Sequence, residues 1–222
     1  MSLRITAAVE RWPVAGQFII ARGAKTYVDV LVVAVSDGAH VGYGEGTAIY
    51  YKGETAESCL AQVDRVIAQL EPLSADDARD LAQMLLPPGA ARNALDCALW
   101  DVAAKAAVKP LWQYAGLTAE PMPLVTAFTI SLGEAPVMEA DAAIAAAKGY
   151  GLLKLKLTGE GDRARVKAVR AGAPDARLIV DANESWGGLD IAAEAAVLAD
   201  LGVEMIEQPD QAWGWTRYLV AS

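Results

Sequence analysis

Three short apolar runs, each closed by charged residues, recur along the second half of the chain at nearly constant spacing. Gly151–Leu157 carries Lys154 and Lys156, Arg177–Val180 leads into Asp181-Ala182-Asn183, and Val203–Ile206 leads into Glu207-Gln208-Pro209. Lys156 and Asp181 are 25 positions apart and Asp181 and Glu207 are 26, which is room for one strand, one helix and two short loops each time. Regular βα units with charged groups at the carboxyl ends of their strands are the pattern of a (β/α) barrel site.

The residue types define a chemistry. Positions i and i+2 of a strand share a face, so Lys154 and Lys156 are expected to project together while Leu153, Leu155 and Leu157 pack against helices. Two neighbouring ammoniums in a partly dry site repel, and repulsion and desolvation both favour a neutral amine able to accept a proton. Lys154 is thereby expected to depress the pKa of Lys156. Asp181 and Glu207 offer the hard oxygens that Mg²⁺ prefers. A metal held there would bind a substrate carboxylate and ease removal of the adjacent proton by a lysine.

The Lys-x-Lys strand end, the Asp-Ala-Asn and the Glu-Gln-Pro, in this order and spacing, resemble the enolase superfamily, in particular its muconate-lactonizing subgroup with lysine bases. Within that subgroup the chain is most similar to the dipeptide epimerases, which interconvert stereoisomers of L-Ala-D/L-Glu and related dipeptides. The resemblance runs from the N-terminus to about Pro209 and implies Lys156 and Lys154 as catalytic residues, Asp181 and Glu207 as ligands of Mg²⁺, and Asn183 as a supporting contact. It further implies Arg22 and Thr129 as contacts to a small dipeptide or carboxylate substrate. It places Val14–Gly23 and Ile49-Tyr50-Tyr51 on two specificity loops. An ordinary surface arginine, a strand threonine and an aromatic strand end packed on the core are the plain alternatives for these residues. The sibling activities, muconate cycloisomerase, o-succinylbenzoate synthase and N-acylamino-acid racemase, share the lysines and ligands and stay open.

Composition narrows the class. With 222 residues, 54% hydrophobic and 21% charged, the chain can bury a core of its own. A net charge of −9 argues against nucleic acid or an anionic membrane as partner. The first residues, Met1-Ser2-Leu3-Arg4-Ile5-Thr6, lack the apolar core of a signal peptide and no run approaches a membrane span, so a cytoplasmic protein is expected. Cys59 and Cys97 have no metal-ligand spacing and are expected to be buried thiols. His40 is the one histidine, which leaves no material for histidine-based triads.

The first half has a different rhythm. Ile5 to Thr47 follows an antiparallel-sheet pattern: Thr26–Ser36 alternates, Asp37-Gly38 marks a tight turn, and Val41–Glu45 returns. Val14–Gly23 is expected to be irregular. Gly42-Tyr43-Gly44-Glu45-Gly46 lacks the strand-turn-helix context of a phosphate loop and is rejected as one. Helices are expected over Glu54–Leu70, from a Ser74-Ala75-Asp76-Asp77 cap, and over Ala90–Val108, with Asp96 and Asp101 structural. The glycine and proline cluster from Gly116 to Pro123 marks the boundary. The expected fold is thus an α+β capping domain, residues 1–120, followed over residues 121–222 by the first three or so βα units of a TIM-type barrel, starting with a strand at Leu124–Ile130.

A full (β/α)₈ barrel takes about 250 residues, and Leu124 to Ser222 is 99. The expected reading is therefore a truncated barrel, with the family's third metal carboxylate and second lysine beyond Ser222 and with Asp210–Ser222 fitting no helical stripe. Such a chain is expected not to epimerise alone. The competing reading is a non-catalytic remnant that folds only partly or pairs through its open sheet edge, as in a homo-oligomer.

Overall fold

A computed structural model describes residues 2–20, 23–210 and 218–220 of the chain. They divide into two compact units: Met1–Pro13 with Tyr27–Met122, and Val14–Thr26 with Pro123–Ser222.

The first unit holds most of a three-stranded sheet, whose first two strands include Val14–Ile20 and Gly23–Thr26 of the second unit, and the helices that cover it. Strands β1 (Arg4–Ile20), β2 (Gly23–Ser36) and β3 (Val41–Thr47) lie in that order. β2 and β3 pair antiparallel about the Asp37-Gly38 turn, from Ser36↔Val41 to Val30↔Thr47, and the Asp37 carboxylate accepts from the Ala39 and His40 amides to close it. The expected irregular Val14–Gly23 stretch is strand as far as Ile20, as its apolar and β-branched residues favour. A 3-10 turn at Tyr50–Lys52 follows, with Tyr50 and Tyr51 exposed rather than packed on the core.

Helices α1 (Ala56–Asp64), α2 (Ile67–Leu70), α3 (Ala75–Leu85), α4 (Ala90–Ala106) and α5 (Leu111–Tyr114) complete the unit. Thr55 and Ser58 form a capping box on α1 and Ser74 caps α3 through the Asp77 amide. The single helix expected over Glu54–Leu70 breaks between Asp64 and Ile67, where the Val66 amide bonds Val63 O in a tighter turn that keeps Val63, Val66 and Leu70 all in the core. Cys59 is buried, but Cys97 is exposed on α4, against expectation, and both are free thiols.

The rejected phosphate loop has a packing role. Gly42, Gly44 and Gly46 alternate along one face of β3, and a Cβ on them would lie 2.3, 2.0 and 2.4 Å from the carbonyl oxygens of Ala98, Ala94 and Ala90. A two-residue period on the strand thus meets a four-residue period on α4, letting strand and helix backbones touch. Asp101 and Asn93 fasten the same contact by accepting from the Tyr43 amide and donating to Glu45 O.

In the second unit β4 (Phe128–Ile130), α6 (Ala135–Ala147), β5 (Leu152–Lys156), α7 (Asp162–Gly172), β6 (Arg177–Asp181), α8 (Ile191–Asp200) and β7 (Val203–Glu207) alternate. The four strands are parallel in sequence order. Leu153, Leu155 and Leu157 are wholly buried in one core with Met138, Val166 and Val169 of the covering helices, as the strand alternation requires.

Two expectations change here. Of the strand expected at Leu124–Ile130 only the last three residues pair, because the β5 register begins at Phe128↔Leu153, and Leu124 is 88% exposed. Beyond β7, the backbone of β8 (Tyr218–Val220) pairs antiparallel with it, Glu207↔Tyr218 to Met205↔Val220, where a further βα unit would add a parallel strand.

Candidate active site

Parallel register brings the charged strand ends together. Lys156 is opposite Asp181 and Asp181 opposite Glu207, so three residues 25 and 26 positions apart in sequence become neighbours across one sheet edge. Lys154, two residues earlier on β5, shares the face of Lys156. Its Nζ lies 2.5 Å from Glu207 Oε2 and 3.1 Å from Asp181 Oδ2, and Lys156 Nζ lies 2.6 Å from the same Asp181 Oδ2. Asp181 Oδ1 accepts from the Asn183 amide at 3.0 Å, and Asn183 Nδ2 reaches Gln208 Oε1 at 3.4 Å.

Asp181 is 2% exposed and Lys156 8%, while Lys154 and Glu207 remain partly open to solvent. Burial pulls Lys154 downward, but its hydrogen bonds to Glu207 and Asp181 and their charges outweigh this and hold it above the ordinary lysine range. Burial likewise pushes Asp181 up, and Lys156, the Asn183 amide and Lys154 together bring it below the ordinary carboxylate range. The repulsion expected between the two ammoniums is therefore offset by a shared carboxylate oxygen, a partner that strand alternation on β5 alone does not reveal.

The remaining site residues are distributed unevenly. Thr129 pairs with Lys154 in the β4–β5 register and is partly buried, one strand from the cluster. Arg22 lies outside the described residues. Phe18, in the same sequence stretch, belongs to the second unit, and its ring centroid is 5.9 Å from Lys156 Nζ. The Ile19 carbonyl accepts from the Leu132 amide at 3.0 Å, just after β4. Phe18 was not legible as a site residue, because its approach to Lys156 joins residues far apart in the chain.

The backbone beside the carboxylates is unusual. Asn183, Glu184 and Gln208 have φ of 48, 66 and 47°, left-handed conformations that cost most residues energy and collect at functional sites. The sequence carries no glycine there to announce them.

Asp181 and Glu207 fit a hard divalent cation in donor type and direction. Both present a carboxylate oxygen to a single cation, the Lys154 ammonium, and Mg²⁺ is commonly held by one or two carboxylates with its remaining positions on water or substrate. Among the described residues no group of three His, Cys, Asp or Glu side chains gathers closely enough to hold a metal, and no helix is long and apolar enough to cross a membrane.

An α+β unit preceding a parallel α/β sheet with lysines facing carboxylates at its strand ends has the makings of a two-domain enzyme of the α/β-barrel class. Residues 3–116 match the mandelate racemase / muconate lactonizing enzyme N-terminal domain and residues 137–218 the enolase C-terminal domain-like family. The chain belongs to the mandelate racemase / muconate lactonizing enzyme family of the enolase superfamily. It is 43% identical to the L-Ala-D/L-Glu epimerase of Escherichia coli K12 over 200 residues, covering 90% of this chain and 61% of that protein. It is 31% identical to an N-acetyl-D-glutamate racemase of a Pseudoalteromonas species, over 81% of this chain and 56% of the relative. Among solved structures it matches an Agrobacterium tumefaciens enolase family member with bound sodium and L-Ala-L-Glu, with a TM-score of 0.87, 40% identity and coverage of 95% and 63%. It also matches the Enterococcus faecalis V583 dipeptide epimerase complexed with Mg and L-Leu-L-Tyr, with a TM-score of 0.83, 28% identity and coverage of 95% and 62%. The chain thus spans about three fifths of the length of these proteins. Its fold is that of the superfamily: an N-terminal capping domain and a C-terminal α/β domain with a parallel sheet.

Proposed function

We propose that this chain carries the metal-binding and first-base part of a Mg²⁺-dependent epimerase of dipeptides of the L-Ala-D/L-Glu type. The observation that carries this reading is the convergence of Lys154, Lys156, Asp181 and Glu207 within one hydrogen-bonded cluster. The relatives that bind or act on dipeptides support the substrate class. Asp181 and Glu207 would hold the cation, which when bound draws negative charge toward itself and so binds a carboxylate and favours loss of the neighbouring proton.

The chain's own residues then have separable tasks. Lys154 is held charged and partly open, suited to grip a substrate carboxylate oxygen. Lys156 is buried deeper, with Phe18 beside it. In its unprotonated form, its amine is the group that would accept the α-proton. Asn183 steadies Asp181 through its amide.

In this reading residues 1–120 are the capping domain and residues 121–222 the opening part of a barrel that further strands complete. Four parallel strands would supply one side of such a barrel's cavity, and the group that returns a proton from the other face would come from elsewhere. The isolated chain should then exchange the α-proton slowly without inverting the centre. Incubation with Mg²⁺ and L-Ala-L-Glu in D₂O, followed by NMR for deuterium and by chiral chromatography for inversion, tests this. Exchange that vanishes in Lys156→Ala supports the reading, and exchange that survives the change, or rapid inversion by the chain alone, defeats it. The 31% identity to an N-acetyl-D-glutamate racemase favours an N-acylamino-acid substrate as the second reading, decided by the same assay with N-acetylglutamate.

A further inference from the structure

We infer that Asp162 and Trp186 form a positioning pair that locks the loops after β5, β6 and β7 to one another and so sets the distances among Lys156, Asp181 and Glu207; the inference rests on the reading that these three share an active site.

Asp162 opens α7 and is 5% exposed, and Trp186 is 1% exposed. A carboxylate so buried is tolerable only when its oxygens are fully hydrogen-bonded. Asp162 Oδ1 accepts from the Thr158 amide at 3.0 Å and from Arg165 Nη1 at 3.2 Å, and Oδ2 accepts from the Gly159 amide at 2.7 Å and from Trp186 Nε1 at 2.9 Å. An ordinary cap satisfies the amides of its own helix. Asp162 instead binds two amides of the loop that leaves Lys156 and one indole from the loop that leaves Asp181.

The link continues. The Trp186 amide donates to Pro209 O at 2.8 Å, two residues past Glu207, and the Glu184 amide donates to Gln208 O at 2.7 Å. Gly159, at φ +89°, passes so near the second loop that a Cβ there would lie 2.8 Å from Ser185 O. Thr158–Gly159, Asp162, Trp186 and Pro209 therefore form one bonded path across three strand ends, and the left-handed residues Asn183, Glu184 and Gln208 lie along it. Such backbone persists only where its surroundings over-determine it. Neither Asp162 nor Trp186 touches the lysines or the carboxylate ligands in any hydrogen bond or ion pair described above, so their influence is on position.

The test uses the whole chain with Trp186→Phe, which keeps an aromatic ring and removes one donor, and Asp162→Asn, whose amide turns a donor toward N–H groups. Hydrogen exchange read by mass spectrometry should show protection lost at Leu157–Gly159 and Ala182–Trp186 by roughly ten-fold or more while Leu178–Val180 keep theirs. Mn²⁺ binding followed by electron paramagnetic resonance should weaken by about 10- to 100-fold, the usual effect of disturbing groups that orient ligands. Uniform loss of protection with Mn²⁺ affinity intact at low temperature marks a purely structural role and overturns the inference, as does unchanged exchange in both loops. If the wild-type chain binds no Mn²⁺, the functional reading fails by itself, and the loop-selective exchange still decides this one.

Discussion

The β3–α4 contact of the first unit and the strand-end cluster of the second are built on opposite principles. In the first, glycines on a strand face alanines on a helix and the backbones meet directly, with Asp101 and Asn93 only at the margin. In the second, two lysines and two carboxylates are drawn into partly buried contact, beside three residues with left-handed backbone. The first arrangement maximises packing, while the second concentrates desolvated charge and strain, which packing elsewhere in the unit must offset. Small residues at matched periods therefore report architecture, and charge at matched strand ends reports chemistry.

That contrast can be broken most severely at the packed contact. Gly44→Ala should destabilise the chain by about 3 kcal/mol, since its Cβ would meet Ala94 O at 2.0 Å and neither backbone can yield cheaply. Gly151→Ala, with nothing within 4 Å of its Cβ, should stay within roughly 1 kcal/mol of wild type in the same urea titration.

In the charged cluster, Asp181→Asn leaves Lys156 buried without its counter-charge and should cost about 2–3 kcal/mol at neutral pH. The sign with pH follows from Asp181 being held below its ordinary range. Its contribution is present above the unfolded aspartate value, about 3.9, and is lost as pH falls through the lower folded value. Urea titrations of wild type and Asp181→Asn should accordingly converge as the pH falls below about 4.

Relief of strain should act in the other direction. Gln208→Gly removes a side chain from a residue at φ 47° and should stabilise by up to about 1 kcal/mol while weakening Mn²⁺ binding, measured by melting and by resonance titration. Smallest of all, Arg177→Ala removes an exposed, solvent-screened pair with Glu204 and should leave the urea midpoint indistinguishable from wild type.

Much of the second unit was legible in the sequence. Alternation on β5 put Lys154 and Lys156 on one face and Leu153, Leu155 and Leu157 in the core, because strand geometry is local. The spacing of Lys156, Asp181 and Glu207 announced three βα units. Illegible were the features that depend on a partner: the shared Asp181 oxygen between the lysines, the shortening of β4 to Phe128–Ile130 where β5 ceases to pair, and the antiparallel backbone of β8. Asp162 is an acidic residue at a helix start and Trp186 a loop aromatic, and nothing local in the sequence pairs them.

By itself the sequence determined which residues could be strands, where they ended in charge, and the order in which those ends followed one another, since propensity, periodicity and spacing all act over a few residues or one repeat. Only the tertiary structure decided which oxygen each ammonium meets, which loops are bonded to which, and why three glycines line one strand. Those outcomes depend on groups far apart in the chain brought within hydrogen-bond or van der Waals range, and no local pattern encodes them.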